Sequence, residues 1–109
     1  MSTIEDTSSV DAIGINKDSG AIVLKIFDHL DWEDEISHLY LLQEKINSYL
    51  RFMEGPQILE AYPESKNHNL MISIDFKVVP CANAIKFLDT ASKIVAAAGF
   101  SLAYSIEAV

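Results

Sequence analysis

From Ala21 to Asp28 the side chains alternate, with Ile22, Leu24 and Ile26 on one side and Ala21, Val23, Lys25 and Phe27 on the other. That is the period of two that a strand imposes. The short apolar run Val10–Ile15 precedes it across Asn16-Lys17-Asp18-Ser19-Gly20, a cluster of turn formers. The pair predicts a β-hairpin with a five-residue loop. From Asp31 to Glu54 the period lengthens. At 100° per residue Trp32, Ile36, Leu39, Gln43, Ile46, Leu50 and Met53 fall along one stripe, widened by Tyr40, Leu42 and Tyr49, which predicts a long helix. Gly55-Pro56 ends it, because glycine accepts a helix cap and proline cannot continue the ladder.

Gln57–Tyr62 is a strand candidate, and Pro63–Asn69 (PESKNHN) reads as a loop. Leu70–Val79 alternates cleanly, with Leu70, Ile72, Ile74, Phe76 and Val78 facing one way. Pro80 opens a second helix that runs to about Ala98, with Ala84, Phe87, Leu88, Ala91, Ile94, Val95 and Ala98 on its buried side. Gly99 fits the left-handed position after a helix, with Phe100 able to reach Val95. Ser101–Val109, with Leu102, Tyr104, Ile106 and Ala108 alternating, is the last strand.

The predicted order is β-β-α-β-β-α-β. Without its first strand this is the β-α-β-β-α-β pattern of ferredoxin-like folds. The expected class is therefore α+β: an antiparallel sheet of about five strands, both helices on one face, and an extra N-terminal strand. Residues 1–9 have no pattern and read as a flexible tail on a single domain spanning 10–109.

Half of the 109 residues are apolar and 22% are charged, which is globular rather than disordered composition. No apolar run approaches the ~20 residues that span a bilayer, and the N-terminus lacks a secretory pattern, so no membrane is expected. One cysteine, Cys81, excludes an internal disulfide framework and suits a cytoplasmic setting. Residues 1–60 carry twelve Asp/Glu against four Lys/Arg, a net of −8, and residues 61–109 carry four of each. This field repels phosphate backbones, so no nucleic acid is expected; it suits a basic protein partner.

The acidity peaks in Asp28-His29-Leu30-Asp31-Trp32-Glu33-Asp34-Glu35-Ile36, where strand gives way to helix. As a helix start, Asp31 is an N-cap, the following carboxylates match the helix dipole at roughly 0.3–1 kcal/mol each, and Trp32 with Ile36 pins the turn to the sheet. As a metal site, His29, Asp31, Asp34 and His38 are the candidate ligands beside Asp28 and Glu35, with Asp34 and His38 four residues apart on one face. No His-Glu-x-x-His spacing supports that reading, and no cofactor is expected. His38 lies off the predicted stripe and His68 in a loop, both readable as surface residues.

Gln43 is polar within the apolar stripe and needs a hydrogen-bond partner or a pocket. Leu41 and Phe52 are apolar on the predicted wet face, in line with Lys45 and Ser48. With Glu33 and Glu35 they are the candidate partner-binding residues, and they point to a homodimer. The sheet face with Val23, Phe27, Met71 and Val79 is a second candidate surface. Cys81 stands at the start of the second helix, where a thiol gains reactivity, but it has no neighbouring base or partner cysteine. The four glycines are scattered, with no phosphate-binding loop. Arg51 is the single arginine. No catalytic residue is identified.

The run DHLDWEDEISHLYLLQEKINSYLRFMEGPQI, then Tyr62-Pro63, a strand ending at Pro80, and a helix carrying Phe87-Leu88 and closing in Ala98-Gly99-Phe100, resembles a family of small bacterial proteins classed as a domain of unknown function. Trp32, His38, Leu42, Gln43, Lys45, Ile46 and Tyr49 carry it most specifically. The resemblance implies a bacterial protein of about this length and no catalytic residue. It also implies a serine where this chain has Cys81, which argues against a thiol function. The expected function is a non-catalytic protein-interaction module, homodimeric, with an acidic surface around residues 28–35. The alternative is a small-ligand- or metal-binding domain or enzyme using His29, His38 and nearby carboxylates.

Overall fold

The computed structural model describes residues 4–7, 9–63 and 68–107. Positions 1–3 and 8 of the expected tail, 64–67 of the expected loop, and 108–109 of the expected last strand lie outside them. Strand β1 (Ala12–Ile15) turns through Asn16 into β2 (Ile22–Asp28). The Asn16 side chain accepts from the N–H groups of Asp18 and Ser19, and Gly20 takes φ +76°, so the loop closes as its composition predicts. Helix α1 (Glu35–Glu54) crosses to the short helix α2 (Gln57–Ala61), then strand β3 (Leu70–Phe76). Helix α3 (Ala82–Ala97) leads to β4 (Ser101–Ile106).

The strand expected at Gln57–Tyr62 is instead α2. Gln, Leu, Glu and Ala are strong helix formers, and Ile58 alone is buried there. This change resets the topology. With no strand between α1 and β3, the chain must recross the sheet before pairing again, so β2 and β3 run parallel. The same holds for β3 and β4. Among the described residues only the β1–β2 hairpin is antiparallel. The sheet is therefore mixed, four-stranded and ordered β1-β2-β3-β4, in place of the five-stranded antiparallel, ferredoxin-like sheet. The α+β class holds.

Burial alternates strictly along β2 and β3. Ile22, Leu24, Ile26, Leu70, Ile72, Ile74 and Phe76 face the helices, and the residues between them are half-exposed. Two crossovers of one hand, stepping the same way across the sheet, leave their helices on one face. The C-terminus of α3 follows the sequence expectation. Gly99 takes φ +94°, Phe100 N–H donates to Val95 C=O and Gly99 N–H to Ala96 C=O, which together form a Schellman motif.

Helix α1 departs from its predicted wheel. Its N-cap is Asp34, whose side chain accepts from Ser37 N–H, so Trp32 precedes the helix. Anchoring the wheel on Trp32 rotated the predicted stripe. The buried side is His38, Leu42, Lys45, Ile46, Tyr49, Leu50 and Met53, while Ile36 is 83% exposed. Part of the reason lies upstream: Ile4 is fully buried, donates its N–H to Phe27 C=O, and belongs to the core that α1 covers. Leu41 and Phe52, expected to be wet, are partly buried against that core.

Candidate functional site

Two ionic clusters lie between α1 and β2. In the first, Asp28 ends β2 at an inward-facing position, and His38 enters one turn into α1. His38 Nε2 lies 2.5 Å from Asp28 Oδ2, with both side chains 2% exposed or less. His38 Nδ1 is 2.8 Å from the carbonyl of Asp31, which can only accept, so Nδ1 carries a proton. The Nε2–Oδ2 contact then holds one proton, as imidazolium against carboxylate or as imidazole against carboxylic acid. Either form leaves the pair neutral. Desolvation pushes the Asp28 carboxyl above its usual range, against the lowering effects of the His38 hydrogen bond and charge and of the Leu30 N–H.

Trp32 closes this pair from above. Its ring stacks on His38 at 3.6 Å with planes 14° apart. Its Nε1 is buried and has no hydrogen-bond partner among the described residues. The arrangement stores a proton but leaves no ring nitrogen of His38 open to a substrate, because Asp28 and Asp31 engage both.

The second cluster is Lys45, Asp11 and Tyr49. The Lys45 ammonium donates to the carbonyls of Asp6 and of Ser9 (2.7 Å) and to Asp11 Oδ1 (2.7 Å). Both partners of the ion pair have fully buried side chains. Asp11 Oδ2 accepts from Phe27 N–H, and Asp11 N–H donates to the Tyr49 hydroxyl, which itself donates to Lys25 C=O at 2.5 Å. Burial raises the Tyr49 phenol strongly. The β1–β2 ladder stops at Ala12↔Lys25. Beyond it, Phe27 N–H donates to Asp11 Oδ2 and Phe27 C=O accepts from Ile4 N–H.

The predicted site residues disperse around these clusters. His29 is exposed and pairs with Glu5 at 3.2 Å, while His38 turns inward, so the two histidines serve different carboxylates. Asp31 gives its carbonyl to His38 and its carboxylate to Glu33 N–H, and Asp34 caps α1. Among the described residues no group of three or more His, Cys, Asp or Glu is arranged to hold a metal ion. Glu33 is exposed. Glu35 is tied to the other helix: its carboxylate accepts from the Cys81 thiol at 2.8 Å and from Asn83 at 3.1 Å, and these bonds, the thiol's first, lower its pKa. Leu41 and Phe52 spend much of their apolar surface inside the chain, Phe52 beside Ser9 and Val10. Gln43, with Asn47, lines a groove between α1 and α3 whose floor includes Ile46, Leu50 and Phe87.

Lys45 and Asp11 escaped sequence reasoning. A lysine at i, i+4 between two apolar residues was a signal, because a stem shared with Leu41 and Tyr49 favours burial once a counter-charge is available. Asp11, thirty-four residues away, carried no such mark.

Residues 1–108 match the profile of a family described as "Family of unknown function (DUF6572)". No curated protein and no solved structure matches the chain.

Proposed function

The chain belongs to the family of unknown function DUF6572, and from the geometry of its own residues we propose that it is a non-catalytic protein-interaction module. The single observation that carries this reading is the one-sided sheet. The helices cover one face, while Val23, Phe27, Met71, Ser73 and Asp75 remain half-exposed on the other. The groups with chemical potential point the opposite way. His38, Asp28, Lys45 and Asp11 are consumed by one another and by main-chain carbonyls inside the fold. What faces outward is shape, apolar area and charge. Asp31, Glu33 and Asp34 are all exposed just before α1 and supply an acidic patch, suited to a basic partner.

Photo-crosslinking side chains placed one at a time at Met71, Glu33 and Tyr104, in protein produced at native level in its own cells, test the reading. A discrete crosslinked protein product, whether another chain or the protein itself, is expected from at least one position. His29→Ala should leave that product unchanged. Absence of any product from all three positions overturns the reading.

A further inference from the structure

We propose that the outer edge of β4, which no strand among the described residues pairs with, is the site at which a second copy of this chain binds, joined by antiparallel β4–β4 pairing about a twofold axis centred on Tyr104. The inference rests on the interaction-module reading and names its partner.

The hydrogen-bond pattern fixes which groups are available. Glu107 N–H donates to Phe76 C=O across the parallel β3–β4 pair, whose register sets Phe76 opposite Ile106. In a parallel ladder alternate residues turn their polar groups toward the neighbouring strand. Ser101, Ala103 and Ser105 thus serve β3, and Leu102, Tyr104 and Ile106 direct N–H and C=O outward. Three outward residues centred on Tyr104 form a self-complementary set. A twofold axis there places Tyr104 against its own copy and Leu102 against Ile106, and satisfies every outward group.

The side chains agree. Leu102, Tyr104 and Ile106 share register positions with Ile72, Ile74 and Phe76, so they lie on the helix-covered face. The cover runs short there. Tyr104 is 43% exposed and Ile106 44%, although the Tyr104 ring meets Phe76 edge-on at 5.8 Å. A groove beside them is lined by Ile85, Leu88, Asp89 and Ser92 of α3. A second β4 would extend the sheet to eight strands and carry the apolar layer across the axis, under α3 of each copy.

Two further observations select a second copy as the occupant. Soluble proteins blunt long sheet edges with charge, proline or a bulge, and Ser-Leu-Ala-Tyr-Ser-Ile contains neither charge nor proline. The chain also repels itself over residues 1–60, at net −8, but not over residues 61–109, at net zero. Charge therefore favours approach of two copies through the half that holds β4 and α3. The opposite edge, β1, has four residues and opens next to the acidic half. A stable dimer needs about 800 Å² per partner. A six-residue strand provides part of that and the α3 flank must add the rest, so the expected dimer dissociates on dilution through the micromolar range.

Disulfide trapping in full-length protein carrying Cys81→Ser tests the pairing. A hydrogen-bonded antiparallel pair sets its Cα atoms about 5.5 Å apart, within disulfide reach. Tyr104→Cys should therefore form a covalent dimer under mild oxidation at least tenfold faster than Leu102→Cys or Ile106→Cys, whose twofold mates are about 13 Å away at ~3.3 Å per residue. Light scattering of the unmodified chain at about 100 μM should give twice the monomer mass. Tyr104→Lys with Ile106→Lys should return it to one, with the circular dichroism spectrum of the parent showing that the monomer is folded. A monomer at 100 μM, an open-ended polymer, or a dimer in which Tyr104→Cys has no kinetic advantage overturns the inference. If the crosslinking at Met71 or Glu33 still yields a partner in that case, the module reading stands without it.

Discussion

Replacing Lys45 by methionine separates the buried cluster from the surface position that a helical wheel assigns. Methionine keeps the length and apolar stem but deletes the ammonium. The carbonyls of Asp6 and Ser9 and Asp11 Oδ1, whose carboxylate is fully buried beside β2, then lose the Lys45 ammonium. Breaking a buried ion pair by removing one member costs about 3–5 kcal/mol, because the remaining charge is desolvated without compensation. A domain of this length has roughly 5–15 kcal/mol in total. The loss is therefore a large fraction of its stability. With a urea slope of about 2 kcal/mol/M, typical of small domains, a loss of ~4 kcal/mol lowers the unfolding midpoint by about 2 M.

The double variant Lys45→Met with Asp11→Asn sharpens the test. Asparagine can still accept from Phe27 N–H, and it removes the stranded charge. The double variant should be more stable than the sum of the single effects predicts, by about 1–3 kcal/mol, the coupling expected of contacting residues. Equilibrium urea unfolding followed by circular dichroism measures all four proteins. A Lys45→Met loss within about 0.5 kcal/mol, the range of ordinary surface substitutions, would refute the buried cluster and return Lys45 to the wet face.

Other substitutions probe the same frame. Tyr49→Phe removes a hydroxyl that accepts from Asp11 N–H and donates to Lys25 C=O; it should cost about 1–3 kcal/mol in urea unfolding by leaving buried groups unmet. Asp28 has a folded pKa raised by desolvation, so between the unfolded value near 4 and that raised value the folded state holds the extra proton. Its contribution is thus most favourable at acid pH and is lost as pH rises through the folded pKa. Urea midpoints of wild type minus Asp28→Asn should fall with rising pH across that window; a rise would contradict the assignment. Gly99→Ala meets open space but keeps φ +94°, and should lower stability by about 1–2 kcal/mol, whereas Gly14→Ala, equally open and without positive φ, should shift thermal melts little.

The alternating strands and the α3 terminus were legible in sequence because their causes are local. Ile22, Leu24 and Ile26 declare a face by period alone, and Ala98-Gly99-Phe100 by backbone chemistry. The parallel sheet was not, because it hinges on five residues. Gln57–Ala61 contains one buried side chain, too few for any period, and whether it is strand or helix decides whether β3 returns antiparallel or crosses over. A small local ambiguity thus became a large topological one.

The candidate site was half legible for a related reason. The run from Asp28 to Glu35 drew attention as an acidic surface, yet its most buried carboxylate, Asp28, belongs to the strand and not to the helix start. Strand parity alone, with Ile22, Leu24 and Ile26 inward, sends Asp28 inward too. An inward carboxylate requires an inward donor. The Leu30 N–H meets Oδ1, and the histidine ten residues on, in a helix that covers the same face, meets Oδ2. That parity argument places His38 in the core without any helical wheel and shifts the stripe of α1 to its observed side. It also consumes His38, one of the two histidines on which a metal or catalytic reading rested, while His29 pairs with Glu5 at the surface. Charge density marked this segment, but the inward pairing of Asp28 with His38 is what determines its role: one buried pair holds β2 to α1, Glu35 binds Cys81 and Asn83 at the start of α3, and the remaining carboxylates cap the helix or face outward.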